Sequence, residues 1–116
     1  MNLVVGSWGR AKVSRGDEIV VTALDHHANF VPWQQLALEK HAKLRVCELT
    51  ADGRLDLDCL RGLLTAKTKV VAFNHVSNAL GTINPIAEIV KLPLGTVKTY
   101  IHRARQELRE YLGDLR

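Results

Sequence analysis

The stretch that decides the fold is Ile19-Val20-Val21-Thr22-Ala23, an unbroken run of small and β-branched residues. Such a run is typical of a strand that is buried on both faces, as the strands of parallel sheets are. The turn signal Gly16-Asp17 precedes it, and a helix is predicted before that turn over residues 3–13. The sequence therefore predicts a central strand over 19–23.

Two more strands are predicted on the C-terminal side of this run. Residues 44–49 and 69–74 are short and predominantly apolar, and the second of them contains Val70 and Val71. Helical stretches separate all three runs. Strands that alternate with helices favour a parallel sheet covered by helices on both faces.

The two intervening helices carry start signals of their own. The first is predicted over 29–40, with Asn29 as its cap and Pro32 in its first turn, where a missing N–H is harmless. The second is predicted over 56–65, where Asp56 precedes an apolar face of leucines. Both helices are long enough to cover a small sheet.

Length and composition restrict the class of protein. The 116 residues fit one compact domain, and 47% hydrophobic with 24% charged residues is ordinary for a globular chain. No apolar run approaches the about 18 residues of a membrane span, and the N-terminus lacks the features of a signal peptide. Cys47 and Cys59 are too few for a metal knuckle or a disulfide framework. We expect a cytoplasmic protein.

Five short strings resemble the pyridoxal-phosphate cysteine desulfurases of the sulfur-mobilisation branch, in the order and with the spacing of that family. Together they cover about residues 2–89. The strings are Ser7-Trp8-Gly9-Arg10, Gly16-Asp17-Glu18-Ile19, His26-His27-Ala28-Asn29-Phe30-Val31-Pro32-Trp33, Asp52-Gly53-Arg54-Leu55 and His75-Val76-Ser77-Asn78-Ala79-Leu80-Gly81-Thr82.

This resemblance implies a fold and a site. The segment would form the early part of a large-domain sheet with strand order 2-1-3, and right-handed crossovers would place the two helices on opposite faces. His26 would correspond to the histidine that stacks on the cofactor ring, and Asn78 to the asparagine that contacts the ring oxygen. Asp25 departs from the family, which usually has glutamate at that position.

The same resemblance argues against catalysis by these residues alone. In that family the cofactor-binding lysine, the acid that pairs with the pyridine nitrogen and the nucleophilic cysteine lie downstream, and the phosphate loop lies upstream. We therefore expect no complete active site, no tightly held cofactor and no enzyme activity. We also expect no metal site, because the adjacent residues Asp25, His26 and His27 point to opposite sides of an extended chain.

Residues 86–112 resemble a second family, the region 4 helix-turn-helix of extracytoplasmic-function sigma factors. The string is Ile86-Ala87-Glu88-Ile89-Val90-Lys91-Leu92-Pro93-Leu94-Gly95-Thr96-Val97-Lys98, followed by Ile101-His102-Arg103-Ala104-Arg105. In that family the helix from Thr96 reads the major groove. The residues that would face DNA, or that form a basic stripe at helical spacing, are Thr96, Lys98, Thr99, His102, Arg103, Arg105 and Arg109.

An apolar seam runs beside that stripe, from Val97 through Leu108 to Leu115. It predicts a final helix that packs on the sheet, on the short helix at 85–91 or on a second copy of the chain. Together with the strand at 69–74, which would lie at the sheet edge, this helix predicts a homodimer.

The sequence thus predicts a single α/β domain over 1–116, with three layers and a three-stranded parallel sheet of order 2-1-3. A desulfurase-like segment over 1–89 is followed by a sigma-like helical segment over 86–116 that packs on the sheet. Three functional classes follow. They are a chimeric, engineered domain without evolved activity, a weak and salt-sensitive DNA-binding module, and a remnant that contacts pyridoxal phosphate without catalysis.

Overall fold

A parallel sheet organises the chain in a computed structural model that describes residues 1–92. Strand β1 (Glu18–Thr22) lies between β2 (Lys43–Cys47) and β3 (Thr68–Val71). The register places Ile19 opposite Leu44 on one side and opposite Val70 on the other. The predicted α/β class, parallel pairing and strand order 2-1-3 are therefore confirmed, and each strand begins one residue before its predicted start.

Helical segments precede, connect and follow the strands. The N-terminal segment is helical over residues 2–12, one residue earlier at each end than predicted, with a wider π-helical turn at its middle. The last helix of the described residues follows β3. The elements are α1 (Asn2–Val4), the π-helical turn (Val5–Gly9), α2 (Arg10–Lys12), α3 (His27–Lys40), α4 (Leu57–Leu63) and α5 (Ile86–Lys91).

Helix α3 starts earlier than the sequence indicated. His26 is its N-cap, and its Nδ1 accepts a hydrogen bond from the Ala28 N–H at 3.1 Å. The predicted cap, Asn29, instead donates from Nδ2 to Asp25 Oδ1 at 3.0 Å. The prediction for Asn29 is therefore wrong, and Pro32 lies in the second turn of the helix, since the helix begins at His27.

The start of α4 is the one that the sequence predicted. Asp56 Oδ1 accepts hydrogen bonds from the N–H groups of Asp58 at 3.0 Å and of Cys59 at 2.9 Å. These bonds satisfy two N–H groups that have no partner within the helix. The helix ends two residues earlier than predicted, at Leu63.

Two hydrophobic clusters cover the two faces of the sheet. On the first face Ile19 and Val21 pack in one cluster with Trp33, Leu36 and Ala37 of α3. On the second face Val20 belongs to a cluster with Leu60 of α4 and Ile89 of α5. The prediction that α3 and α4 lie on opposite faces is confirmed, and α5 joins α4 on the second face.

The predictions for the C-terminal part of the chain lie outside the described residues. These are the helix from Thr96, its apolar seam, and its packing on the sheet or on a second copy of the chain. Within residues 1–92, β3 pairs only with β1 and so lies at a sheet edge. The homodimer stays a prediction. None of the helices in this part of the chain has the length and hydropathy needed to cross a lipid bilayer.

Candidate functional site

A cleft of about 390 Å³ opens at the carboxyl edge of the sheet, between the loops that follow β1 and β3. The chain leaves β1 towards β2 on one side, whereas β3 lies on the other side. In open α/β sheets, ligands bind at such reversals of strand order, outside the carboxyl ends of the strands. The cleft is lined by Ala23, Leu24, Asp25, His26, His27, Leu49, Ser77, Asn78, Ala79 and Leu80.

His26 is held at the cleft by its position as the cap of α3. Its carbonyl accepts hydrogen bonds from the N–H groups of Asn29 at 2.8 Å and of Phe30 at 3.0 Å. Because Nδ1 accepts from the Ala28 N–H, the proton of a neutral imidazole lies on Nε2. The His26 and His27 ring centroids lie 6.1 Å apart, with the planes tilted by 52°. The cap therefore orients the imidazole on an exposed wall.

Asp25 has a structural task at the same edge. Its Oδ2 accepts from the Thr22 N–H at 2.9 Å and from Thr22 Oγ1 at 3.0 Å. Its Oδ1 accepts from Asn29 Nδ2 at 3.0 Å. These three bonds fasten the end of β1 to the first turn of α3, so the carboxylate supports the loop that carries His26.

A hairpin loop forms the opposite wall. Val76 and Ile83 form an antiparallel bridge, and the Ser77 N–H donates to the Thr82 carbonyl at 2.9 Å. Gly81 has a φ of +71°, a conformation that glycine adopts without steric cost. The resulting tight loop places Asn78 at its tip, on the lining of the cleft.

Two asparagines join the walls. Asn74 Nδ2 donates to the Leu24 carbonyl at 3.0 Å, which links the loop after β3 to the loop after β1. Asn84 Nδ2 donates to the Asn74 carbonyl at 2.7 Å and to Asn74 Oδ1 at 3.0 Å. Asn84 is only 2% exposed. This Asn74–Asn84 clamp fixes the spacing of the two loops, and sequence reasoning did not find it.

The structure thus brings His26 and Asn78, which are far apart in the sequence, to the lining of a single cleft. Cys47 lies at the end of β2, and burial raises the pKa of its thiol to about 12. Its Sγ donates to the Asp56 carbonyl at 3.4 Å. A thiol that stays protonated is a poor nucleophile, so Cys47 is unsuited to accept sulfur at neutral pH.

The predicted DNA-facing residues cannot be placed relative to this site. Thr96, Lys98, Thr99, His102, Arg103, Arg105 and Arg109 all lie outside the described residues. In residues 1–92, no group of three or more His, Cys, Asp or Glu side chains is arranged to hold a metal ion.

Comparison with known proteins identifies the family. The family model described as aminotransferase class-V matches residues 1–100. The chain belongs to the aminotransferase class-V family. A cysteine desulfurase of Enterobacter sp. (strain 638) is 53% identical over 90 residues, which are 78% of this chain and 22% of that protein. One from Synechococcus elongatus is 53% identical over 92 residues, or 79% of this chain and 15% of that protein.

Solved structures of cysteine desulfurases agree with the fold. A cysteine desulfurase from Escherichia coli superimposes with a TM-score of 0.74 at 34% identity, over 77% of this chain and 22% of that one. One from Thermococcus onnurineus superimposes with a TM-score of 0.72 at 41% identity, over 78% and 22% of the two chains. The chain spans about a fifth of the length of the curated relatives it matches.

These findings confirm the first resemblance and correct one prediction. The expectation that the chain is not an enzyme is contradicted, because the relatives that it matches are cysteine desulfurases, although it spans only about a fifth of their length. The family model continues through Tyr100, past the boundary predicted at residue 89. The comparisons therefore give no support to the sigma-like segment or to a chimeric origin.

Proposed function

We propose that this chain is part of a cysteine desulfurase and that it supplies one wall of the pyridoxal-phosphate site. The observation that carries the proposal is the position of His26 and Asn78. They come from the loops after β1 and β3, and both line the cleft at the reversal of strand order. When bound, pyridoxal phosphate supplies the electron sink that makes bonds next to the substrate amine labile.

The lining of the cleft fits the ring of this cofactor. The His26 imidazole offers a flat, exposed surface whose orientation is fixed through Nδ1. The Asn78 amide offers both a donor and an acceptor on the facing loop. A volume of about 390 Å³ lies within the range of about 300 to 1,000 Å³ that is usual for small-molecule sites.

The phosphate group of the cofactor would need to be bound by residues other than those that line this cleft. Among residues 1–92 no lysine or arginine lines the cleft, and the Asp25 carboxylate is already engaged by Thr22 and Asn29. Asp25 would therefore position His26 without touching the pyridine ring. When the cofactor is bound, His26 would stack on its ring and Asn78 would contact a ring substituent. The Asn74–Asn84 clamp keeps these two residues at a constant spacing.

A titration with pyridoxine 5′-phosphate tests this proposal. This compound keeps the ring and phosphate but lacks the aldehyde that reacts with surface lysines. We expect amide NMR shifts at residues 23–27 and 77–80, with a dissociation constant on the order of millimolar. His26→Ala should weaken binding about fivefold, because a ring contact contributes about 1 kcal/mol.

His41→Asn is the matched control for His26→Ala. His41 ends α3 at the opposite edge of the sheet with a φ of +53°, a conformation that asparagine tolerates. This variant should bind as the unmodified chain does. NMR shifts outside the two loops, or binding by His26→Ala that equals that of the unmodified chain, would contradict the proposal.

A second proposal, weak DNA binding, is favoured by the charge of the C-terminal sequence. From Lys91 to Arg116 there are six basic and three acidic residues. Weak DNA binding of this kind requires a second, sigma-like segment that starts near residues 86–89. If about 3 to 4 phosphates are neutralised, log affinity should fall with log salt concentration at a slope near about −3.

The double variant Lys98→Ala with Arg105→Ala should abolish this binding, whereas Lys12→Ala with Arg15→Ala should leave it. Fluorescence anisotropy with a labelled duplex at several salt concentrations measures both. Binding that is independent of salt, or that survives the double variant, would exclude the predicted stripe as the DNA contact.

A further inference from the structure

Both cysteines of the chain belong to the cluster on the second face of the sheet. Cys47 is the last residue of β2 and is fully buried, with 0% exposure. Cys59 lies in the first turn of α4, is only partly buried and packs against the cluster that contains Cys47. A strand end and a helix start therefore place a buried and an accessible thiol in one small region.

Asp56 brings these two positions together. Cys47 Sγ donates to the Asp56 carbonyl at 3.4 Å, and Asp56 Oδ1 accepts from the Cys59 N–H at 2.9 Å. The Cys59 side chain also contributes to the raised pKa of the Cys47 thiol, and both side chains pack in the same cluster. A disulfide needs Cβ atoms about 3.5 to 4.5 Å apart, so two cysteines that share a cluster and a neighbour need little backbone movement to join.

We propose that Cys47 and Cys59 form an intramolecular disulfide on exposure to a low-molecular-weight disulfide such as oxidised glutathione. The bond would fasten the end of β2 to the start of α4. It would also act near the cleft, because the Cys47 carbonyl accepts from the N–H of Ala23, a lining residue. The proposal is independent of the function proposed above.

The reaction has two exchange steps. The accessible Cys59 thiolate attacks one sulfur of oxidised glutathione, which gives a mixed disulfide and releases one glutathione thiolate. Cys47 then loses its proton to solvent and attacks Cys59 Sγ, which forms the new S–S bond and expels the second glutathione. Two cysteine thiols are oxidised, and one molecule of oxidised glutathione is reduced to two of glutathione.

Burial makes the second step the slow one. Desolvation, together with the neighbouring Cys59, Asp56 and Glu48, raises the pKa of Cys47 to about 12. Since only the thiolate attacks, ring closure should accelerate about tenfold for each pH unit from about pH 7 to about pH 9. The mixed disulfide at Cys59 should accumulate before closure.

Intact-mass measurement on the full chain tests the proposal. Incubation of the reduced chain with oxidised glutathione should give a product that has lost two hydrogens and carries no glutathione. Peptide mapping should link Cys47 to Cys59. Cys47→Ser should stop at the glutathione adduct, and Cys59→Ser should resist modification while the chain stays folded.

The thiol–disulfide equilibrium with glutathione provides a second readout, which does not depend on the rate of disulfide formation. At a series of ratios of reduced to oxidised glutathione, the disulfide should resist reduction more strongly in the folded chain than in urea, because the folded chain holds the thiols together. A stable glutathione adduct on the unmodified chain, a bond between two chains, or a disulfide that is weaker in the folded state would each overturn the proposal.

Discussion

Leu60→Ala is expected to lower the free energy of unfolding by about 3 kcal/mol, within the range of 2 to 5 kcal/mol usual for such core truncations. Leu60 is 0% exposed and lies in the second-face cluster, in which Val20 of β1 and Ile89 of α5 are also buried. Truncation removes apolar contacts and leaves a cavity. The effect is large because α4 is short and Leu60 is its one fully buried residue.

Urea denaturation followed by circular dichroism measures this loss. Leu38→Ala is the matched control, since it makes the same chemical change on α3 at a side chain that is 68% exposed. The control should change stability by less than about 0.5 kcal/mol. Equal losses in the two variants would show that α4 does not pack on the sheet as described.

Asn84→Ala is expected to cost about 2 to 3 kcal/mol and to loosen the cleft. The substitution removes the bonds from Asn84 Nδ2 to the Asn74 carbonyl and to Asn74 Oδ1. Both acceptors, which are partly buried, then lose a partner, and an unsatisfied buried polar group costs about 1 to 3 kcal/mol. Asn74 is in turn the residue that reaches the Leu24 carbonyl, so the spacing of the two walls depends on Asn84.

Two measurements separate the structural and the functional effect of Asn84→Ala. Urea denaturation gives the stability, and the pyridoxine 5′-phosphate titration should show weaker binding although His26 and Asn78 are unchanged. Asn78→Ala is the control for stability, because this exposed amide should contribute less than about 0.5 kcal/mol. Unchanged stability of Asn84→Ala would mean that the clamp does not hold the loops.

The sheet was predictable from sequence because its signals are local. The run at Ile19 to Val21 indicated a strand buried on both faces, and the handedness of crossovers then placed the helices. The ends of the strands and helices were less predictable, since hydrogen bonds between separate parts of the fold decide them. Residues 72–74 were included in the third strand, yet Asn74 turns away to bond to Leu24. Asn29 was a plausible cap for α3, but Asp25 engages it and His26 caps the helix instead.

The candidate site was predictable only in part. His26 and Asn78 were found through the family resemblance, whereas nothing in their local spacing pairs them. The Asn74–Asn84 clamp was missed because an amide that bonds across two loops has no periodic pattern in the sequence. The only signals were two asparagines, one after an apolar run and one before Pro85. The sequence also did not indicate that Cys47 and Cys59 pack in one cluster.

The central position of β1 has a consequence for how this segment forms. In the described sheet, β2 and β3 each pair with β1 and not with one another. Neither outer strand has a partner until β1 is in place, and β3 reaches it only after α3, β2 and α4 have intervened. Formation must therefore wait for long-range closure, which makes parallel sheets slow to assemble. If β1 unfolds, no pair of hydrogen-bonded strands remains, so the sheet unfolds and refolds as one cooperative unit.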